Sequence, residues 1–132
     1  MTLVDANVLL DLATNNPQWA AWSERQLNSA ASRGSVIVSD IAYAEFSVGY
    51  NRIEDADAFL ADAGIEVQPV PRPGLFLAGK VFRAYRARGG SRTGVLPDFL
   101  IGAHAAVADL PLLTRDMARY YTNYPSVILI AP

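Results

Sequence analysis

The chain contains no cysteine, one histidine and one lysine in 132 residues. The absence of thiols excludes disulfides, thiolate zinc centres and a cysteine nucleophile. A single imidazole, His104, excludes acid-base chemistry shared between two histidines. No apolar run reaches the ~18 residues of a membrane span, and no charged and then apolar leader precedes the first apolar stretch, so a cytoplasmic location is expected. Positive charge is not in excess either. The net charge of -2 argues against a uniformly basic nucleic-acid binder, while a local basic patch stays possible on an acidic body. The groups left for chemistry are mostly oxygen donors.

What is present is a hydrophobic content of 52%, enough for one domain spanning 1–132 with a full core. The stretch 96–116 organises it. Pro97 precedes Asp98, a carboxylate able to cap a helix whose following residues are nearly all apolar, and such a helix belongs inside a fold. Leu112-Leu113-Thr114 then suits a central parallel strand that delivers Thr114 and Asp116 at its end.

The rest of the chain repeats the pattern. Leu3-Val4 is a minimal strand ending in Asp5, and Asn7 is expected to cap the next helix, with Asp11 facing solvent. Asn15-Asn16-Pro17 breaks that helix, and an amphipathic one carrying Trp19 and Trp22 on its apolar stripe runs to about Arg33. Val36-Ile37-Val38 is the second strand, with Ser39 or Asp40 capping a helix to Tyr50 that sets Glu45 beside its apolar face. A helix with acids in its first turn ends at Gly64, and Ile65 to Val70 is the third strand. A helix from about Gly74 to Arg88 carries Arg83, Arg86 and Arg88 into the loop that contains Arg92, a candidate phosphate-binding rim. After Asp116 come a short helix with Tyr120 and Tyr121, both expected to pack, and a last strand over Ser126 to Ile130. Five short strands linked mainly by helices indicate an α/β fold: a three-layer α/β/α sandwich around a mainly parallel five-stranded sheet.

Asp5, Glu45, Asp98 and Asp116 each fall near a strand end or the start of a buried helix, and in a parallel sheet these ends share one edge. Each close pair of bare carboxylates would cost about 1 to 4 kcal/mol at ~4 Å, so a cluster of four implies a bound cation. All-oxygen donors select hard Mg²⁺ or Mn²⁺ over zinc. Held by carboxylates and waters, such an ion suits phosphodiester chemistry.

Val4-Asp5-Ala6-Asn7-Val8-Leu9-Leu10, the isolated helical Glu45, Asp98-Phe99-Leu100-Ile101-Gly102-Ala103-His104-Ala105 and Leu113-Thr114-Arg115-Asp116 resemble the PIN-domain ribonucleases. The length and the Gly-Arg-rich run before Asp98 resemble VapC-type toxins of toxin-antitoxin pairs. The resemblance implies a metal-dependent endoribonuclease, a homodimer, held inactive by a VapB-type antitoxin whose C-terminal segment lies across the acidic cleft. It also implies roles: Asp5, Asp98 and Asp116 as metal-directed carboxylates, Glu45 on the metal or the attacking water, and Asn7 and Thr114 as hydrogen-bonding supports. Ala6 and Ala118 depart from the family pattern, the latter standing where many members carry a further acid. His104 is read as packing.

Two other functions share these features. A phosphoryl-transfer α/β protein also puts acids at strand ends, but wants a lysine beside them, and Lys80 lies mid-helix rather than just after a strand. A non-catalytic module could use the acidic cleft only to receive a partner's arginine.

Overall fold

The computed structural model describes residues 1–90 and 96–132. Its centre is β1 (Thr2–Val4), hydrogen-bonded in parallel on one side to β2 (Val36–Ser39) and on the other to β4 (Leu112–Leu113). β3 (Ile65–Gln68) and β5 (Leu129–Ile130) form the edges, giving the order β3-β2-β1-β4-β5, parallel throughout. Leu3 pairs with Ile37 on one side and Leu112 on the other, and all three are fully buried. Each such side chain contributes about 1.5–3 kcal/mol by leaving water. Uninterrupted apolar triplets are what a sheet covered on both faces requires.

The helices are α1 (Ala6–Ala13), α2 (Ala20–Arg33), α3 (Asp40–Ser47), α4 (Ile53–Asp62), α5 (Arg72–Ala87) and α6 (Leu96–Ala108). A 3-10 turn at Met117–Arg119 follows β4. Side chains from the sheet, α1, α2, α3, α4 and α6 make the main core, and α5 packs on α6 over a second cluster of Ala78, Phe99, Ala103 and Tyr124. Tyr124 lies so close over Gly102 that a Cβ there would meet its ring at 2.3 Å, and its hydroxyl donates to the Phe99 carbonyl at 2.6 Å. Glycine at 102 is what lets the last segment seal against α6.

Several local expectations are corrected. Asp5, not Asn7, caps α1: its Oδ1 accepts from the Ala6 N–H at 2.8 Å, and Asn7 lies within the first turn. Ser39 rather than Asp40 caps α3, accepting from the Ala42 N–H, while Asp40 accepts from the Val70 N–H. Asp98 does not cap α6, which begins two residues earlier at Leu96; α5 likewise starts at Arg72, ahead of Pro73. Proline has no N–H to lose in a helix's first turn and its φ is already helical, so both helices extend upstream of their prolines. Asp11 is buried, not solvent-facing. It accepts from Ser23 Oγ and, through both oxygens, from the Arg115 guanidinium at 2.8 and 3.0 Å. α2 starts later and α3 ends earlier than expected, and β3 and β5 are shorter.

Candidate active site

The chain leaves β1 toward β2 and β3 on one side, and returns after β3 to place β4 on the other. Strand order therefore reverses at the β1–β4 pair, where open α/β sheets form a crevice beyond the strand ends. Asp5 follows β1 there, and Thr114 to Asp116 follow β4.

Asp5 is almost fully buried and held from all sides. Besides the Ala6 N–H on Oδ1, its Oδ2 accepts from Thr114 Oγ1 at 2.9 Å, Tyr120 Oη at 2.7 Å and, more weakly, Asn7 Nδ2 at 3.4 Å. Thr114 Oγ1 in turn accepts from the Asp116 N–H at 3.1 Å, and Asn7 Oδ1 accepts from the Arg115 N–H at 3.2 Å. Asn7 and Thr114 thus bind the two acid-bearing strand ends to each other.

The other acids face this centre. Glu45, on α3, has its carboxyl pushed above the usual range by burial, then by the charges of Asp5 and Asp98. Its Oε1 is buried without a hydrogen-bond partner among the described residues. Asp98, in the first turn of α6, is also raised, by burial first; Arg119 opposes the rise, and Asp5 and Asp116 add to it. Glu45 and Asp98 thus each sense other acids of the group. A buried carboxylate oxygen without a donor is costly unless a cation answers it. All-oxygen donors with one orphaned oxygen fit a hard divalent ion. As they stand, however, no three His, Cys, Asp or Glu side chains among the described residues are gathered so as to hold one ion.

Two residues of the centre were not anticipated as such. Tyr120 does pack, being fully buried, but its hydroxyl also donates to Asp5. Burial, then the Asp5 charge, raises its pKa so far that it remains a donor at any working pH. Arg119, on the 3-10 turn, donates from Nε to Asp116 Oδ2 at 2.9 Å and from Nη1 to Asp98 Oδ1 at 3.4 Å. Burial works against its charge, but Asp98, Asp5 and Asp116 outweigh this and raise its pKa. Its spacing of three from Asp116 was the available signal.

The arginines of the expected rim divide. Arg88, at the end of α5, donates to Asn123 Oδ1 at 2.9 Å beside a depression of about 360 Å³ that Tyr85, Gly89, Ala118 and Thr122 also line. Ala118 belongs to the 3-10 turn, so Arg88 approaches the acid-bearing segment. Arg83 and Arg86 line a separate depression with Gly79 and Phe82, Arg86 stacking over the Phe82 ring. Arg92 lies outside the described residues. His104 is buried on α6, where desolvation lowers its pKa, in keeping with a packing role.

A parallel five-stranded sheet with acids converging at its switch point defines a class, and the sequence matches the PIN domain family over residues 2–120. The chain belongs to that family, whose members are generally nucleases. Its backbone is similar to that of VapBC2 from Rickettsia felis, solved bound to a DNA fragment from its promoter: TM-score 0.74, 18% identity, covering 98% of this chain and 97% of that one. A toxin-antitoxin complex from Klebsiella pneumoniae gives 0.70 and 21%, covering 97% and 96%. VapBC-1 from nontypeable Haemophilus influenzae gives 0.72 and 18%, covering 98% and 96%. At these identities the likeness establishes the fold. Comparison with curated protein sequences gives no match.

Proposed function

We propose that this PIN domain is a Mg²⁺- or Mn²⁺-dependent endoribonuclease, the toxin of a pair with a VapB-type antitoxin. The observation that carries the reading is Glu45 Oε1, buried without a donor among the described residues, on a carboxyl that the charges of Asp5 and Asp98 act upon, with Asp98 in turn acted upon by Asp116. The similar toxin-antitoxin structures support the antitoxin partner; a homodimer and a cytoplasmic setting belong to the same proposal. No described helix is long and apolar enough to cross a membrane.

Asp5, Asp98, Asp116 and Glu45 are the residues that would hold the ion. When bound, it supplies Lewis-acid polarisation of the phosphodiester and acidifies a water. The chain's own residues do the rest. The donors of Ala6, Thr114 and Tyr120 fix the Asp5 carboxylate before substrate arrives, so little reorganisation is left for the reaction. Glu45, whose raised pKa makes it a better base than an ordinary carboxylate, orients the attacking water and takes its proton. A bond forms from that water oxygen to phosphorus as one backbone P–O bond breaks, and the leaving oxygen is protonated from solvent. Arg88, with Arg83 and Arg86 earlier on the same helix, offers charge to neighbouring phosphates, and Arg92, outside the described residues, is proposed with them from the sequence alone.

The test is cleavage of pooled cellular RNA by purified protein with Mg²⁺, with Mn²⁺ and with chelator, beside Asp98→Asn. Asp98 is preferable to Asp5 for this purpose because it does not cap a helix or anchor both strand ends. Discrete fragments that need metal and Asp98 are expected. Full cleavage by Asp98→Asn, or cleavage in chelator, overturns the reading.

A further inference from the structure

We propose that Arg119 is an internal counter-cation of the acid cleft, competing with the divalent ion for Asp98 and Asp116. This rests on the metal-dependent reading above and concerns how that site is regulated. Among the described residues, Arg119 is the only basic side chain in an ion pair with any of the four acids. It takes one carboxylate oxygen from each of two elements, Asp116 Oδ2 at 2.9 Å and Asp98 Oδ1 at 3.4 Å. The neighbouring Arg115, which could have done the same, is turned away and committed to Asp11.

The two sides of the cleft are therefore neutralised differently. Asp5 is satisfied by uncharged donors, which orient a carboxylate and leave its charge for a cation. Asp98 and Asp116 share a formal positive charge instead, and a guanidinium on those oxygens both blocks them and repels a second cation. This matches the geometry in which, among the described residues, no three acids are gathered to hold an ion: the carboxylates nearest Arg119 are directed to it.

Arg119 is also able to leave. Its side chain is 42% exposed, it stands on a three-residue turn rather than in a long helix, and no hydrogen bond other than those to Asp98 and Asp116 holds it among the described residues. A long side chain with its head near water can swing outward while its turn stays in place. Metal entry then exchanges one counter-charge for another. The cleft is neutralised in both states, so the metal-free protein avoids the full repulsion of four acids, at the expense of weaker metal binding.

The experiment is calorimetric titration of Mn²⁺ into the purified, metal-stripped chain, with Arg119→Ala and Arg119→Lys beside it and no RNA present. Arg119→Ala is expected to bind Mn²⁺ about tenfold more tightly, and Arg119→Lys, which keeps the charge, to stay within about threefold of the parent. Melting curves supply a second readout: in chelator Arg119→Ala melts below the parent, and its rise on adding Mn²⁺ is the larger. Equal or weaker Mn²⁺ binding by Arg119→Ala overturns the proposal while the nuclease reading stands, as does a Lys variant that tightens as much as Ala. If neither the parent nor Arg119→Ala binds Mn²⁺, the metal-dependent reading fails and this inference with it.

Discussion

Removing one oxygen atom tests how the centre is built. In Tyr120→Phe the ring keeps its place in the core, where the residue is fully buried, so no cavity accompanies the change. What disappears is the 2.7 Å donation to Asp5 Oδ2. Hydrogen bonds to charged groups are worth about 1.5–3 kcal/mol, and the deletion leaves a buried carboxylate oxygen with only Thr114 at 2.9 Å and a weak contact from Asn7 at 3.4 Å. Since Thr114 still serves the same oxygen, the expected loss is toward the lower part of that range, about 1.5–2 kcal/mol. For a domain of this size that lowers Tm by roughly 5–10 °C. Urea unfolding followed by circular dichroism measures it directly, with an unchanged m-value showing that the unfolded state is not altered. Loosening Asp5 should also reduce cleavage on the order of tenfold, the usual effect of removing a group that orients a metal-directed side chain. A variant within about 0.5 kcal/mol of the parent and cleaving at the parental rate would refute the reasoning.

Breaking the Asp11–Arg115 pair by Arg115→Ala leaves a 2%-exposed carboxylate with only Ser23 as a donor; a loss toward the lower end of about 3–5 kcal/mol is expected in the same unfolding experiment. The double variant Asp11→Leu with Arg115→Met should recover most of it, and failure to do so would mean the charges matter beyond their pairing. For pH, Glu45 and Asp98 both hold their protons more tightly in the folded chain than their ordinary values of 4.5 and 3.8. Their stabilising effect is complete below those values and is lost as pH rises through the raised ones, so metal-free protein should melt lower from mildly acid pH toward neutral. His104, lowered by burial, acts in the opposite sense as pH falls below 6.5, so the comparison of slopes with Glu45→Gln isolates the acid: an unchanged slope in that variant would exclude it.

The sheet was legible because a strand buried on both faces writes itself as a short unbroken apolar run, as Leu3-Val4, Val36-Ile37-Val38 and Leu112-Leu113 do. The placing of Asp5 after β1 and Asp116 after β4 followed from the same elements, since a parallel sheet delivers its strand ends to one edge. What failed was of two kinds. Helix starts were set too late at Pro73 and Pro97, because a proline read as a boundary was in fact the second residue of the helix. Partners distant in the chain were invisible: Asp11 looks solvent-facing on its own helix, and only Arg115, 104 residues later, explains its burial. Tyr120 was missed as a member of the centre for the same reason, because periodicity reports which face of an element is apolar but not which hydroxyl crosses to another strand end; Arg119 had a local signal in Asp116 three residues before it, and only its contact with Asp98 is distant.

The order in which the chain is made has a consequence for when it can act. β1 is synthesised before the other strands and occupies the middle of the sheet, yet one of its two neighbours, β4, follows it by more than a hundred residues. Asp5 waits for Thr114 and Tyr120, 109 and 115 residues downstream. A growing polypeptide can join β1, β2 and β3 early, but it has no complete acid cleft until translation has passed Tyr120. Products that stop short of Thr114 would lack the hydroxyl donors that fix Asp5.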